Sequence, residues 1–437
     1  MISIKFRILL VALLFPAVLQ AQTLRKLSLQ EALDLGIANS KNLKLAQNKI
    51  DESNARLAVI KDNVLPSASA SLLYNHAEIT TNKLSIGEGN PLTLPKRADA
   101  FLGTAAVQET IYGGGRYKYA QESTRLLTEV ARLDADKNKE EISYAIINTY
   151  FSLFKVMQSK KVVAQNLESI ASQLQQAQRF FDQGIVTKND VLRFQLQQAN
   201  VSLTDLEIEN NRKIINYNLN VLLGLPEDTQ IELTSTDVAL KPVESLGSYL
   251  AQANANRQEL QQFDLQHKVA DYQIKTIKAD QKPTVGVAAN LYYINPNSFI
   301  PHTNEFVLPV TLGATISWNV ASLWTNKNKV SEAKIQQKEI GLQKDIVSDR
   351  IKTELNTNYQ NYLLAVQRIK VLEASIAQAT ENDRLLASKY KNNIASVTDR
   401  IDAETLLYQA KINLELAKAD AKLAYYTLLK STGKTSL

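Results

Sequence analysis

The chain contains no cysteine, which excludes disulfides and thiolate metal sites, so its fold must rest on packing alone. Glycine (14) and proline (10) are scarce for 437 residues, and long uninterrupted elements are the consequence. Apart from the N-terminus, no long apolar run occurs, so any entry into a membrane cannot be made with helices. Lysine and arginine alternate with aspartate and glutamate along helical faces instead of gathering on one stripe, which argues against a nucleic-acid partner. The three histidines, His76, His267 and His302, are not spaced for a metal, and no Ser-His-Asp order or carboxylate pair beside a nucleophile is evident. No cofactor, metal or catalytic residue is expected, and the chain reads as a non-enzyme.

What is present begins with Lys5 and Arg7, an apolar run from Ile8 to Leu19, and Ala21 before Gln22. These are the three regions of a secretory signal peptide over residues 1–21, with Leu19 an unusual residue near the cleavage site. Loss of that leader takes the formal charge from +6 to +4, a mild excess for an exported protein.

The mature chain is internally duplicated. Ala38-Asn39, Leu43, Ile60-Lys61 and Pro66 recur 217 residues later as Ala255-Asn256, Leu260, Ile277-Lys278 and Pro283. Phe181, Ile185, Asp190, Tyr217 and Gly224 recur 209 residues later as Tyr390, Ile394, Asp399, Tyr426 and Gly433. The eight-residue difference falls in the loop between two predicted strands, about Thr81 to Asp99, where insertions are tolerated. The expected organisation is a first repeat over 22–247 and a second over 248–437, each comprising a helix, a β-hairpin and a long helical hairpin.

Heptad spacing marks the long helices: Val163, Leu167, Ile170, Leu174, Ala177 and Phe181 in one, and Leu372, Ile376, Ala379, Leu386 and Tyr390 in its repeat. At ~1.5 Å per residue, helices of about 65 residues reach about 100 Å. Breakers at Asp182-Gln183-Gly184 and Lys391-Asn392-Asn393 turn each into a return helix, about 188–223 and 398–431. The return helices carry Leu192, Leu196, Ala199, Leu203 and Leu206, and Ala410, Leu414, Ala417, Ala421, Ala424 and Leu428, which predicts two antiparallel coiled-coil hairpins. Half-length helices at about 28–62 and 248–280 complete the flanking of each long helix, and the break at Leu225 to Gly247, with Pro226 and Pro242, predicts an equatorial collar.

Period two replaces the heptad after Pro66 and Pro283. Phe306, Leu308, Val310, Leu312, Ala314, Ile316 and Trp318 share one face of a strand, opposed by Thr311, Gly313, Thr315, Ser317 and Asn319. Val285, Val287, Ala289, Leu291 and Tyr293 form a second such face, and Ala68, Ala70, Leu72 and Tyr74 a weaker third. About ten alternating residues with aromatics toward the ends fit a membrane β-strand, although a half-buried soluble sheet would alternate in the same way. A four-stranded contribution cannot close by itself, because bacterial barrels begin at ~8 strands and open edges are not stable in lipid. Closure requires several copies, and a trimer supplies twelve strands. Gly113-Gly114-Gly115 reads as a strand-to-helix bend, since no Lys-Ser/Thr follows to hold phosphate. Gly433-Lys434-Thr435 likewise lacks the upstream glycine of a P-loop.

The chain resembles the outer membrane efflux proteins typified by TolC. The residues that carry the resemblance are Leu29-x2-Ala32-Leu33 with Ala38-x4-Leu43, Gln108-x2-Ile111-Tyr112-x-Gly114-Gly115-Arg116, Gly184-x5-Asp190-Val191-Leu192 and Tyr217-x4-Leu222-Leu223-Gly224. The resemblance implies a mainly α protein with long coiled-coil helical hairpins and membrane β-strands, assembled as a trimeric α/β barrel channel in the outer membrane and narrowed at its periplasmic tip. It also implies a periplasmic membrane-fusion adaptor and an inner-membrane pump of RND or ABC type as partners, beside the homotrimer and outer-membrane lipid. Asp399-Arg400-Ile401-Asp402 matches in place the family's acidic Asp-x2-Asp gate, while the first repeat has Asp190 but Arg193 where Asp402 falls. Threefold symmetry would bring six carboxylates around the axis and favour cations; the plainer reading is that Asp399 caps a helix and Asp402 is solvated. The sequence departs from the family at Asn393 and Ala395, where glycine and often a basic residue are usual. The tips Gly184-Ile185-Val186 and Asn393-Ile394-Ala395 expose apolar residues suited to adaptor docking, with local turn packing as the competing account. A passive exit duct of an efflux pump or type I secretion system is the leading function, and a periplasmic coiled-coil adaptor or structural protein without a barrel is the rival.

Overall fold

Helix and strand alternate as the duplicated pattern requires. The computed structural model describes residues 24–78, 80, 83–84, 87–93, 96–234, 242–296 and 308–434, so the leader, His302 and Phe306 lie outside the described residues. In chain order the elements are β1 (Leu24–Leu27), α1 (Leu29–Asn39), α2 (Lys41–Asp62), β2 (Ser67–Glu78), β3 (Lys83–Leu84), β4 (Leu92–Thr93), β5 (Arg97–Tyr112), α3 (Arg116–Asp182) and α4 (Lys188–Leu223). The second half continues with β6 (Gln230–Leu233), α5 (Leu246–Asn256), α6 (Gln258–Ala279), β7 (Thr284–Pro296), β8 (Val310–Ser317), α7 (Ser322–Lys391) and α8 (Val397–Ser431). The 67-residue α3 and 70-residue α7 are continuous, as expected where no proline interrupts the i to i−4 ladder.

The chain forms two compact units. One gathers residues up to 45, 136–258 and from 348 onward; the other gathers 46–135 and 259–347, so each repeat contributes to both. In the first unit the core is built from Leu27, Ala32, Ile146, Ile147, Tyr150, Phe151, Leu219, Leu223, Ile231 and Tyr426, which brings β1, α1, α3, α4, β6 and α8 together. β1 pairs in parallel with β6, and Tyr150 donates its hydroxyl hydrogen bond to the Leu27 carbonyl at 3.2 Å. Of this pair only β6 stands within the segment expected to form a collar, and β1 comes from the start of the mature chain; residues 235–241 of that segment lie outside the described residues.

Two expected helices are each broken. The helix anticipated over 28–62 divides at Ser40 (φ −60°, ψ 118°), and that over 248–280 divides at Arg257 (φ −65°, ψ 115°). Both breaks lie directly after the repeated Ala-Asn pairs, and both serve as seats for a glycine. Asn39 Nδ2 donates to the Leu223 carbonyl at 2.7 Å, and a Cβ on Gly224 would come within 2.9 Å of Asn39. A Cβ on Gly433 would come within 2.9 Å of the Asn256 backbone. Repeated asparagine and repeated glycine thus meet in each half of the chain.

The second unit holds a four-stranded antiparallel sheet of order β2-β5-β7-β8. Its outer edges, on β2 and β8, have no further strand among the described residues. The small β3–β4 hairpin occupies part of the longer first inter-strand loop. β8 is shorter than the strand expected over Phe306 to Trp318, with Leu308 before it and Trp318 just after.

Candidate functional site

The sheet's register explains why its strands alternate. Strand partners place Ala68, Val107, Ala289 and Leu312 in one row, and Ala70, Ala105, Leu291 and Val310 in the next. Leu72, Gly103 and Tyr293 follow, then Tyr74 and Phe101, whose rings stack 4.9 Å apart. On the same face Val285 pairs with Ile316 and Val287 with Ala314. The three apolar faces anticipated from alternation therefore share one surface, into which Glu109, opposite Val287, brings a carboxylate near its helical end. It is open: Leu312 is 82% exposed and Ile316 74%. The opposite face carries Ser67, Gln108, Ala288 and Gly313, then Ser69, Ala106, Asn290 and Thr311, then Ser71 and Thr104, and toward the loop end Leu73 opposite Leu102. At the loop end of the apolar face the chemistry changes. Tyr74 and His76 both bond Asp99, at 2.8 and 2.7 Å, and Glu78 pairs with Arg97. An apolar band bounded by polar and aromatic groups is the distribution a lipid-facing sheet requires.

Below the sheet, β5 bulges between Thr110 and Tyr112 and passes into α3 through Gly113-Gly114-Gly115. Gly114 adopts φ +67°, and a Cβ there would stand 2.6 Å from the Ala279 carbonyl oxygen, so positive φ and close approach both require glycine. In the second half the corresponding junction is held by side chains instead. Trp318 Nε1 donates to the Gln281 carbonyl (3.0 Å), Ser322 Oγ to the Asp280 carbonyl (2.9 Å) and Asn326 Nδ2 to the Ile277 carbonyl (3.0 Å).

The two hairpin turns, Gly184-Ile185-Val186 and Asn393-Ile394-Ala395, are built alike. Each long helix ends in a left-handed residue, Gly184 (φ 72°) and Asn393 (φ 57°), and the amides of Ile185 and Ile394 return to the Phe180 and Lys389 carbonyls at 2.9 and 2.8 Å. Asparagine replaces glycine here at the cost of a Cβ but without changing the turn, because asparagine tolerates that backbone region. Each return helix begins with a capping box, Thr187 with Asp190 and Ser396 with Asp399. Asp399 Oδ2 accepts from the Ser396 hydroxyl at 2.7 Å and from its amide at 3.1 Å. The Ser396 hydroxyl, and next its backbone amide, hold the Asp399 carboxyl below the usual carboxylate range. Asp399 therefore has the capping role that its repeat mate Asp190 also has. Asp402, one turn on, is exposed and outside the box.

Beneath the turns, Ala177, Val191, Phe194, Tyr390 and Val397 pack together, with Ala395 against them. Ala395 and Val186 are only partly exposed, whereas Ile185 (45%) and Ile394 (74%) project. The tips thus divide: one apolar residue of each faces out and one turns in. Arg193, which replaces a carboxylate in the first repeat, donates to Thr398 Oγ1 at 2.8 Å and ties one hairpin to the other.

The return helices hold a surface that periodicity alone did not orient. On α8 the heptad residues Ala410, Leu414, Ala417, Ala421 and Leu428 are buried. On α4 the heptad Leu192, Leu196, Ala199, Leu203 and Leu206 is exposed, and the hairpin is closed by Val191, Phe194 and Val201 instead. The expectation that the α4 heptad packs within its own hairpin is corrected here: α4 carries two apolar stripes, and the more regular one faces outward.

Among the described residues no helix is long and apolar enough to cross a membrane. Residues 249–434 match the model of the outer membrane efflux protein family. The match spans the second repeat. It is 21% identical over 425 residues to the toluene efflux pump outer membrane protein TtgC of Pseudomonas putida, covering 92% of this chain and 82% of that protein. The antibiotic efflux pump outer membrane protein ArpC of Pseudomonas putida matches to the same extent. Among solved structures, the outer membrane protein VceC of Vibrio cholerae superposes with a TM-score of 0.75 at 16% identity, covering 93% of this chain and 96% of that one. The outer-membrane channel OprN gives 0.75 at 15% identity (93% and 89% covered), and CusC 0.77 at 13% identity (93% and 92% covered).

Proposed function

We propose that three copies of this chain form a passive exit duct through the outer membrane and periplasm, and that the duct serves a tripartite pump exporting small molecules. The observation that carries the reading is the four-stranded sheet, mainly apolar on one face, mainly polar on the other and, among the described residues, unpaired at both edges. Unpaired edges in lipid cost several kcal/mol per unsatisfied backbone group, so such a sheet persists in a bilayer only when copies close it. Three copies place twelve strands around a lumen lined by the Ser, Thr, Asn and Gln face, with the apolar rows toward lipid. The outward stripe of α4 supports the same assembly, as do Leu364, Val371 and Leu385, which project from α7 at multiples of seven residues.

In this duct Asp402 supplies the gate's charge, and Asp399 adds a second carboxylate while capping α8. Ile185 and Ile394 are the apolar points on which a periplasmic membrane-fusion adaptor docks, with Gly184, Val186, Asn393 and Ala395 shaping the turns beneath them. The duct itself performs no catalysis, and an inner-membrane pump of RND or ABC type drives it. The efflux names of the relatives support drug-like or solvent cargo over secreted protein. The test is fractionation followed by planar-bilayer recording: recovery in the outer membrane with stepwise conductance is expected, and recovery in the soluble periplasm overturns the proposal in favour of an adaptor or structural coiled coil.

A further inference from the structure

A cationic cleft lies in the second unit, where the sheet passes into helices. It has a volume of about 280 Å³ and is walled by Arg116 at the start of α3, Asp280 and Lys282 just after α6, Ser317 and Asn319 at the end of β8, and Lys329 of α7. Its floor is fixed, because Ser322 and Asn326, each 3% exposed, bond the Asp280 and Ile277 carbonyls. Thr284 pairs with Ser317 one residue before the apolar pair Val285 and Ile316, so alternation turns Thr284 and Ser317 toward the polar face of the sheet. Both line the cleft there.

Three cations and one carboxylate line the cleft. Arg116 lies 3.7 Å from Asp280, while Lys282 and Lys329 have no ion pair among the described residues. Lys275 and Lys344 of the same unit do find carboxylates, in Asp271 and Asp264. α3 and α7 start at the cleft with no acidic residue in their first turns, so two helix N-termini add positive potential, opposed by the C-terminal end of α6. The fold does not require this charge. At the 217-residue offset Lys282 corresponds to Leu65, and at the 209-residue offset Lys329 corresponds to Ala120, so the matching junction of the other half is built without these lysines. An excess of two positive charges among polar side chains suits a phosphate monoester, which carries about −1.5 to −2 near pH 7. A carboxylate would leave one cation unanswered.

We propose that this cleft binds the phosphate group of an anionic solute, with Lys282 and Lys329 as its principal ligands and Arg116 beside them. The chemistry stands on the cleft alone, but its place in a channel rests on the reading of the chain as a trimeric duct, in which the polar face borders the lumen. Three copies then form a ring of phosphate sites where the sheet gives way to helices.

The test has two arms on the full-length protein in phosphate-free detergent. Equilibrium dialysis against ³²P-labelled inorganic phosphate at constant ionic strength reads the site without a channel. Wild type is expected to retain one phosphate per chain, and the double variant Lys282→Gln, Lys329→Gln to bind it roughly tenfold more weakly. Asp280→Asn, which removes the one opposing carboxylate, is expected to bind more tightly. Phenyl phosphate, a solute monoester, should displace the label and acetate should not; failure of phenyl phosphate to displace it would restrict the cleft to the free ion and overturn the solute reading. Planar-bilayer recording reads the duct: phenyl phosphate should reduce the single-channel current of wild type and not that of the double variant. Equal retention by wild type and the folded double variant, or no retention by wild type, overturns the site even where stepwise conductance upholds the duct. Lysine-dependent retention without conductance overturns the duct and the lumenal placement instead. If the double variant does not fold, unchanged affinity in Asp280→Asn overturns the site.

Discussion

The return helices α4 and α8 are repeat mates and each carries a heptad, but the two stripes lie at different repeat positions: at the 209-residue offset Ala410 aligns with Val201, both buried, while Leu203 and Leu206 align with Ile412 and Glu415. On α8 the stripe through Leu414 and Ala421 is buried, with Leu414 8% exposed; on α4 the stripe through Leu203 and Leu206 is 59% and 69% exposed. A heptad establishes that one face of a helix seeks an apolar partner, but not whether that partner is the same chain. α4 closes its own hairpin with a second, less regular set, Val191, Phe194 and Val201. Its more regular stripe is exposed.

Charging the two stripes should separate them most sharply. Leu414→Asp is expected to prevent folding, because it buries an unpaired carboxylate among Ile369, Ala417 and Ala421. Leu203→Asp is expected to leave the far-UV helical signal of the chain intact while abolishing assembly. Loss of folding in both, or in neither, would break the comparison.

The tips repeat the contrast on a smaller scale. Asp399 shares its capping geometry with Asp190, while Asp402 is opposed by Arg193 in the other repeat. Asp402→Ala is therefore expected to relieve block by multivalent cations and raise conductance by itself, with Asp399→Ala adding less and lowering stability through the lost cap. Undiminished block in the Asp402→Ala, Asp399→Ala double variant would remove both residues from the gate.

The smallest effect concerns Glu209, which ties α4 to its own hairpin. Arg212, and then Lys160 of α3, hold its carboxyl down to about 2 from 4.5. A depressed folded-state pKa contributes stability that is present above the unfolded value and lost as pH falls through the folded one. Wild type should therefore lose stability, relative to Glu209→Gln, between about 4.5 and 2. Parallel stability curves for the two proteins across that interval would contradict this.

Much of this was legible in the sequence for physical reasons. Breaker residues fixed the hairpin turns at Gly184 and Asn393, and period-two alternation fixed which sheet residues share a face, since a strand has only two faces. The helix breaks at Ser40 and Arg257 were not legible, because neither proline nor glycine marks them; the repeated asparagines before them were visible, but their glycine partners are 185 and 177 residues away in sequence. The β1–β6 pair was missed for a similar reason, as four-residue strands carry too little alternation to register. The Asp399 cap was foreseen as one of two readings. Only the Ser396 geometry, identical in kind to that of Thr187 and Asp190, establishes it, and a cap and a pore charge remain compatible at one position.

The central claim is that the outward stripe of α4 and the two open edges of the sheet are satisfied by further copies of this chain. Native mass spectrometry of the protein extracted from outer membranes in mild detergent tests it most directly. A single species of three times the mature chain mass, reduced to one chain by Leu203→Asp, is the predicted result; a monomer from wild-type membranes would contradict the account.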